Sequence, residues 1–228
     1  MLRCYPRYHP GVHEPTGRWV VLDVGEVIVD ETRVWTTWAD QLRVPRLTFM
    51  ALLGAAIARG GQHSEVFTEF GIDNWRDWAA SVESAFGGFQ VQDLYPDAIP
   101  AMASLRRFGL RIGVVANQPA QRTRELQALG VTADVMAMSG ELGVSKPSPA
   151  FFDRVLEMTG SDPDDVAYVG DRVDNDVAPA LAAGMRAVWI RRGPWGRIQQ
   201  LSADLRPSLV VQSLAELAGR VDEIWGEG

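Results

Sequence analysis

Six short, nearly continuous apolar runs punctuate the chain: Trp19–Leu22, Ile112–Ala116, Val135–Met138, Val166–Val169, Ala187–Ile190 and Leu209–Val211. Runs of this kind, separated by helical stretches, describe a parallel sheet covered on both faces. The stretches between them have helical spacing. Met102, Leu105 and Phe108 fall three apart, and Leu214, Leu217, Val221 and Ile224 share one stripe. Ser213 and Glu216 have the spacing of a capping box at the start of that last helix. With right-handed crossovers, these elements predict an α/β fold: a Rossmann-like, doubly wound parallel sheet.

The stretch from Thr32 to Tyr95 has no strand-like run. Trp35, Trp38 and Leu42 share a helical face, and Pro45 can open a second helix that stops at Gly60-Gly61. A third stripe, Trp75, Trp78, Ala79, Val82 and Phe86, ends at Gly87-Gly88. The chain therefore divides into a sheet-forming core, residues 1–31 and 96–228, and an all-helical cap, residues 32–95. Residues 1–18 read as an irregular N-terminal extension. Aromatic residues at helical spacing are expected to be cap core rather than a substrate box. Any left exposed would favour a homodimer.

Composition narrows the function. The 22 basic and 29 acidic residues give a net charge of −7, which argues against a nucleic-acid partner. The single cysteine, Cys4, excludes an internal disulfide and a cysteine-built zinc site. His9, His13 and His63 are too few and too scattered for a histidine metal centre, and Pro10-Gly11 spoils a helical pairing of His9 with His13. No stretch resembles a signal peptide or reaches the roughly 20 apolar residues of a membrane helix, so a soluble, cytoplasmic protein without a membrane partner is expected.

Ligands of parallel sheets bind at the carboxyl ends of the strands. Here those ends carry Asp23 after the first run, Asn117 after the second and Asp171 after Val166–Val169. Lys146 precedes a helix in Gly143-Val144-Ser145-Lys146-Pro147, and Asp176 opens another. Three carboxylates (Asp23, Asp171, Asp176) brought to one sheet edge repel each other unless a counter-ion joins them. A hard divalent cation resolves that repulsion, and Mg²⁺ favours carboxylates, water and phosphate. With Lys146 and a helix N-terminus added, the set suits a phosphate attacked by an aspartate.

The order Asp23, Asn117, Lys146-Pro147, Gly170-Asp171 and Asn175-Asp176 resembles the haloacid dehalogenase-like (HAD) hydrolase superfamily, in the subgroup with a helical cap and an Asp-x-Gly first motif. The most specific stretch runs from Gly143 through Gly170-Asp171-Arg172 to Ala183-Gly184-Met185. The resemblance implies a Mg²⁺-dependent phosphatase for a small phosphorylated metabolite, with Asp23 as nucleophile and metal ligand. It further implies the Gly25 carbonyl and Asp171 as ligands, with Asp176 beside them or acting through water. Lys146 would hold nucleophile and phosphate together, and the cap would close over the substrate and select it.

Two positions depart from that pattern. Gly25 stands where family phosphatases carry an acid/base aspartate; the adjacent Glu26 is the substitute in reach. Ala116 stands where a phosphate-binding hydroxyl is usual, which leaves Asn117 or backbone amides to compensate. Loss of one acid/base group costs about 10²–10⁴ in rate, so weak activity is expected. A catalytically degenerate binding protein and a metal-independent 2-haloacid dehalogenase are the alternatives. Arg33 reads as a solvated helix charge or an anion contact, and Arg191–Gly196 as a turn with an anchoring Trp or part of the site wall.

Overall fold

A computed structural model describes residues 17–226, so Cys4, His9, His13 and most of the predicted N-terminal extension lie outside the described residues. The six apolar runs become six strands: β1 (Trp19–Leu22), β2 (Arg111–Ala116), β3 (Val135–Met138), β4 (Val166–Gly170), β5 (Arg186–Ile190) and β6 (Leu209–Val211). They form one parallel sheet in the order β3-β2-β1-β4-β5-β6. The chain builds outward from β1 to β3 and then crosses to β4 on the other side. The switch point between β1 and β4 is where such sheets leave a crevice at their carboxyl ends.

Between β1 and β2 the chain first forms α1 (Thr32–Gln41), α2 (Arg46–Ala58), α3 (Glu65–Thr68) and α4 (Ala79–Phe86). Pro45 precedes α2, and Gly60, at φ +76°, follows it in the left-handed conformation that glycine adopts freely. The third predicted stripe is two elements, a 3₁₀ turn over Trp75–Trp78 and then α4. The tighter turn rotates Trp78 off the buried stripe, leaving it exposed beside buried Val82 and Phe86. Trp35, Phe49, Leu53 and Phe67 form an apolar cluster of their own, with Trp38 and Trp75 packed on it. Phe86 and Phe89 join the cluster beneath the sheet instead.

The helices that cover the sheet are α5 (Ala98–Arg107), α6 (Arg122–Ala128), α7 (Ser139–Leu142), α8 (Pro149–Thr159), α9 (Ala178–Ala182), α10 (Gly193–Ile198) and α11 (Leu214–Gly219). Both sheet faces are buried, which explains why the strands lack polar alternation. Val20 and Leu22 of β1 belong to one apolar cluster with Met102 and Leu105, while Trp19 and Val21 belong to another with Phe151, Phe152 and Val155. The predicted last helix is shorter than its stripe. It stops at Gly219, a residue costly to keep helical, and Val221–Ile224 form a separate 3₁₀ turn. At the start of α11, Ser213 accepts from the Glu216 N–H at 3.0 Å. The Glu216 carboxylate accepts from Gln212 N–H at 2.8 Å, one residue earlier than a capping box requires.

Two arginines fasten the inserted helices, Arg33 within the segment and Arg122 from α6 of the core. Arg33 is neither a solvated charge nor an anion contact: it pairs with Asp93 at 2.5 Å, donates to the Phe86 carbonyl at 2.6 Å and also to the Gly88 carbonyl. Buried Arg122 of α6 pairs with Glu83 of α4 at 2.7 Å and with Glu125 at 2.8 Å, and its guanidinium lies over the rings of Phe86 and Phe89. Breaking a buried pair leaves charge uncompensated, although both glutamates here keep some solvent. Arg122→Ala should therefore lower unfolding stability by about 2 kcal/mol, measured by urea titration. A loss within error of zero would show that the pairs do not fasten α4 to α6.

Candidate functional site

The sheet's switch point brings the acidic residues together. Asp23 directly follows β1, and its N–H donates to the Val169 carbonyl of β4 at 2.9 Å, so Asp23 and Asp171 leave neighbouring strands side by side. Asp176 reaches the same place from a π-helical turn, Val173–Val177. Its approach requires a glycine: a Cβ on Gly170 would stand 2.3 Å from Asp176 Cβ. One carboxylate oxygen from each of Asp23, Asp171 and Asp176 lies within 4.8 Å of the others, and all three residues are buried.

Lys146 lies between two of them. Its Nζ is 2.8 Å from Asp23 Oδ1 and 2.7 Å from Asp176 Oδ1. Asn117, at the end of β2, holds the lysine's backbone from both sides: Lys146 N–H donates to Asn117 Oδ1 at 2.8 Å, and Asn117 Nδ2 donates to the Lys146 carbonyl at 2.9 Å. Asn117 is thus engaged in positioning Lys146, and Ala116 beside it is fully buried and offers no hydroxyl.

The electrostatics leave a deficit of positive charge. Burial works against the Lys146 ammonium, but Asp176 and Asp23 overcome it and hold its pKa well above the usual value. Burial pushes the Asp23 carboxyl up despite the lysine, with Asp176 adding to the rise. Asp171 is pushed well up, first by burial and then by the charges of Asp176 and Asp23. Its Oδ2 is buried without a hydrogen-bond partner. Asp176 differs: Oδ1 faces Lys146 and Oδ2 accepts from Arg172 N–H at 3.0 Å. An orphaned carboxylate oxygen next to a second carboxylate is the donor set of a hard divalent cation, so the residues fit one. Asp23 and Asp171 have donor capacity for it, whereas both oxygens of Asp176 are committed elsewhere.

Beyond β1 the chain curls tightly. The Val24 carbonyl accepts from Ile28 and Val29, and Glu26 N–H donates to the Val29 carbonyl at 2.7 Å. Glu26 takes a left-handed φ of +54° and is buried. Its carboxylate accepts from the Tyr95 hydroxyl at 2.5 Å and from Glu31 N–H at 3.1 Å. The curl brings Glu31, at the start of α1, beside Gly25. There Gln118 Nε2 donates to Glu31 Oε1 at 3.1 Å. Burial, followed by the charges of Glu26 and Asp23, pushes the Glu31 carboxyl up to about 7.

These groups open on one cavity of about 350 Å³. Asp23, Gly25, Glu31, Lys146 and Asp171 form its polar floor, while Trp35, His63 and Trp195 line an aromatic wall. Trp35 and Trp195 therefore serve both readings of the aromatic residues: each is packed in the helical cluster, and each faces the cavity. Glu31, Gln118 and His63 escape a reading of sequence. Glu31 looks like an ordinary acidic residue before a helix, and only the curl of the loop makes it a site residue.

A HAD-hydrolase-like family model matches residues 143–217. Glyceraldehyde 3-phosphate phosphatase from Methanopyrus kandleri is 35% identical over 133 residues, 57% of each chain. Phosphoserine phosphatase from Thermus thermophilus is 38% identical over 116 residues, which cover 50% of this chain and 47% of the relative. The chain thus spans about half the length of the curated relatives it matches. Over these stretches the chain is similar to HAD-like hydrolases. Its fold agrees with that of a solved predicted phosphoglycolate phosphatase from Haemophilus somnus, at a TM-score of 0.69 and 18% identity over 90% of this chain and 97% of that one. No described helix of this protein is long and apolar enough to cross a membrane.

The raised pKa of Glu31 makes a stability prediction. A carboxyl moved from 4.5 to about 7 in the fold contributes stability that is intact below pH 4.5 and lost as pH climbs through about 7. Glu31→Gln keeps an oxygen for Gln118 and cannot charge. In metal-free buffer its stability relative to wild type should rise between about pH 5 and pH 8 by on the order of 2 kcal/mol, read as a growing Tm difference. A difference that stays flat would place Glu31 in the ordinary carboxylate range.

Proposed function

We propose that this protein is a Mg²⁺-dependent phosphomonoester hydrolase that acts on a small phosphorylated metabolite through an aspartyl phosphate on Asp23. The observation that carries this reading is the placement of Lys146 between Asp23 and Asp176 beside the unpartnered oxygen of Asp171. Asp23, the Gly25 carbonyl and Asp171 would hold the cation, with Asp176 keeping Lys146 in place. When bound, the cation offsets the carboxylate repulsion and the charge of the phosphoryl group.

The chain's own groups then divide the work. Asp23 Oδ attacks phosphorus, and Lys146 orients that carboxylate while its ammonium balances charge on the transferred group. Asn117 positions the lysine and, because Ala116 lacks a hydroxyl, phosphate contacts fall to Lys146 and backbone amides. The cavity's size and aromatic wall suit a small substrate. Residues 32–95 serve as a cap that supplies Trp35 and His63 to this wall and so contributes to substrate choice. Glu26, its carboxylate committed to Tyr95 and Glu31 N–H, braces the loop.

The relatives named as phosphatases support this reading for the stretches they share. Turnover of a 2-haloacid would place the substrate's carboxylate against Asp171, a repulsion the phosphatase reading avoids through the cation.

A thermal-shift assay with Mg²⁺ and beryllofluoride, a mimic of phosphorylated aspartate, tests the site without a known substrate. Wild type should gain several degrees in Tm only when both are present, and Asp23→Asn should gain none. Equal behaviour of the two proteins would overturn the phosphoryl-transfer reading.

A further inference from the structure

The Glu31 carboxylate lies directly against Gly25. A Cβ built on Gly25 would lie 2.6 Å from Glu31 Oε1, 2.8 Å from its Cδ and 3.2 Å from Oε2. The Glu31 carboxylate thus fills the space into which a side chain at position 25 would project. A larger residue there would have to displace the Glu31 carboxylate from the place it now occupies. The loop that delivers Glu31 is held by backbone bonds within residues 24–29 and by Glu31 N–H to Glu26 Oε1. Gln118, from just beyond β2, orients the carboxylate, which lines the same cavity as Asp23 and Lys146.

Glu26 is placed differently. Both of its carboxylate oxygens are engaged, one by the Tyr95 hydroxyl and one by Glu31 N–H. Its side chain also packs against Gly193, where a Cβ would stand 2.3 Å from Glu26 Cγ. Both glutamates line the cavity, but Glu26 spends both oxygens on holding the loop in shape, whereas the Glu31 carboxylate accepts from Gln118 on Oε1.

We propose that Glu31 is the catalytic proton donor and acceptor, supplied from the start of α1 in place of a side chain at position 25. This role rests on the phosphatase reading above. As an Asp23 oxygen bonds to phosphorus, the bond from phosphorus to the ester oxygen breaks, and its electron pair stays on that oxygen. The ester oxygen takes the Glu31 carboxyl proton and leaves as the alcohol. Water then attacks phosphorus of the aspartyl phosphate and gives a proton to the Glu31 carboxylate. The bond from phosphorus to Asp23 breaks, its electrons return to the Asp23 carboxylate, and inorganic phosphate departs. The balance is ester plus water to alcohol plus phosphate, with both carboxyl groups restored.

A substrate whose leaving group needs no proton separates the two steps. With 4-nitrophenyl phosphate and Mg²⁺, Glu31→Gln should release about one equivalent of nitrophenolate in a burst, then turn over about 10²–10⁴-fold more slowly than wild type. Intact-protein mass should show the accumulated phosphoryl adduct, absent in the double variant carrying Asp23→Asn. Unchanged turnover would overturn the role. So would equal loss of burst and turnover in a folded variant, which would mark Glu31 as structural.

If Glu31→Gln does not fold, a second pair decides. Gly25→Asp in a Glu31→Ala background should recover at least about tenfold over Glu31→Ala alone, because the new carboxyl enters the vacated space. No recovery would overturn the equivalence of the two positions. A wild type that hydrolyses no phosphomonoester and shows no Asp23-dependent beryllofluoride shift would fail the underlying reading. An active wild type with an unaffected Glu31→Gln would fail this inference alone.

Discussion

The site depends on one electrostatic constraint: three carboxylates at a single sheet edge, with one lysine between two of them. Burial alone would drive these acids to protonate, and Asp23 and Asp171 are both displaced in that direction. Lys146 compensates part of the charge and Arg172 N–H takes one oxygen of Asp176. The remaining demand falls on Asp171 Oδ2. A site with this much uncompensated negative charge is poised for a cation and for a ligand that the cation can share.

The fold makes that concentration of charge tolerable by distributing it over the ends of strands whose bodies carry no charge. β1 and β4 are buried from end to end, so the charged groups emerge only where the strands stop, and the hydroxyl of Tyr168 within β4 is spent on the Val115 carbonyl. Asp23 and Asp171 meet because their strands are hydrogen-bonded neighbours although far apart in the chain. Glycine at position 170 is part of the same arrangement, since it leaves room for Asp176 to cross the strand end.

The sheet is legible in the sequence because burial on both faces produces unbroken apolar runs, and each of the six runs lies within a strand. The floor of the site is legible for a related reason: polar residues at the ends of such runs stand out. Asp23, Asn117 and Asp171 are of this kind. Glu31 is not, because its position beside Gly25 depends on a loop that curls through left-handed Glu26, a conformation that composition and periodicity do not encode. Arg33 is hidden for a similar reason. An arginine in a first helical turn usually faces solvent, and its partners, Asp93 and two carbonyls, lie more than fifty residues away.

Arg33 also gives the loop a mechanical property. It belongs to the first turn of α1, and its guanidinium ties together the chain entering the helical segment and the chain leaving it. Glu31 lies two residues before this fastening. The carboxylate is therefore placed jointly by the loop that continues β1 and by the start of α1, whereas Asp23 and Asp171 are placed by the sheet alone. The site accordingly draws one half from the ends of β1 and β4 and the other from the start of α1, on the helical segment between β1 and β2.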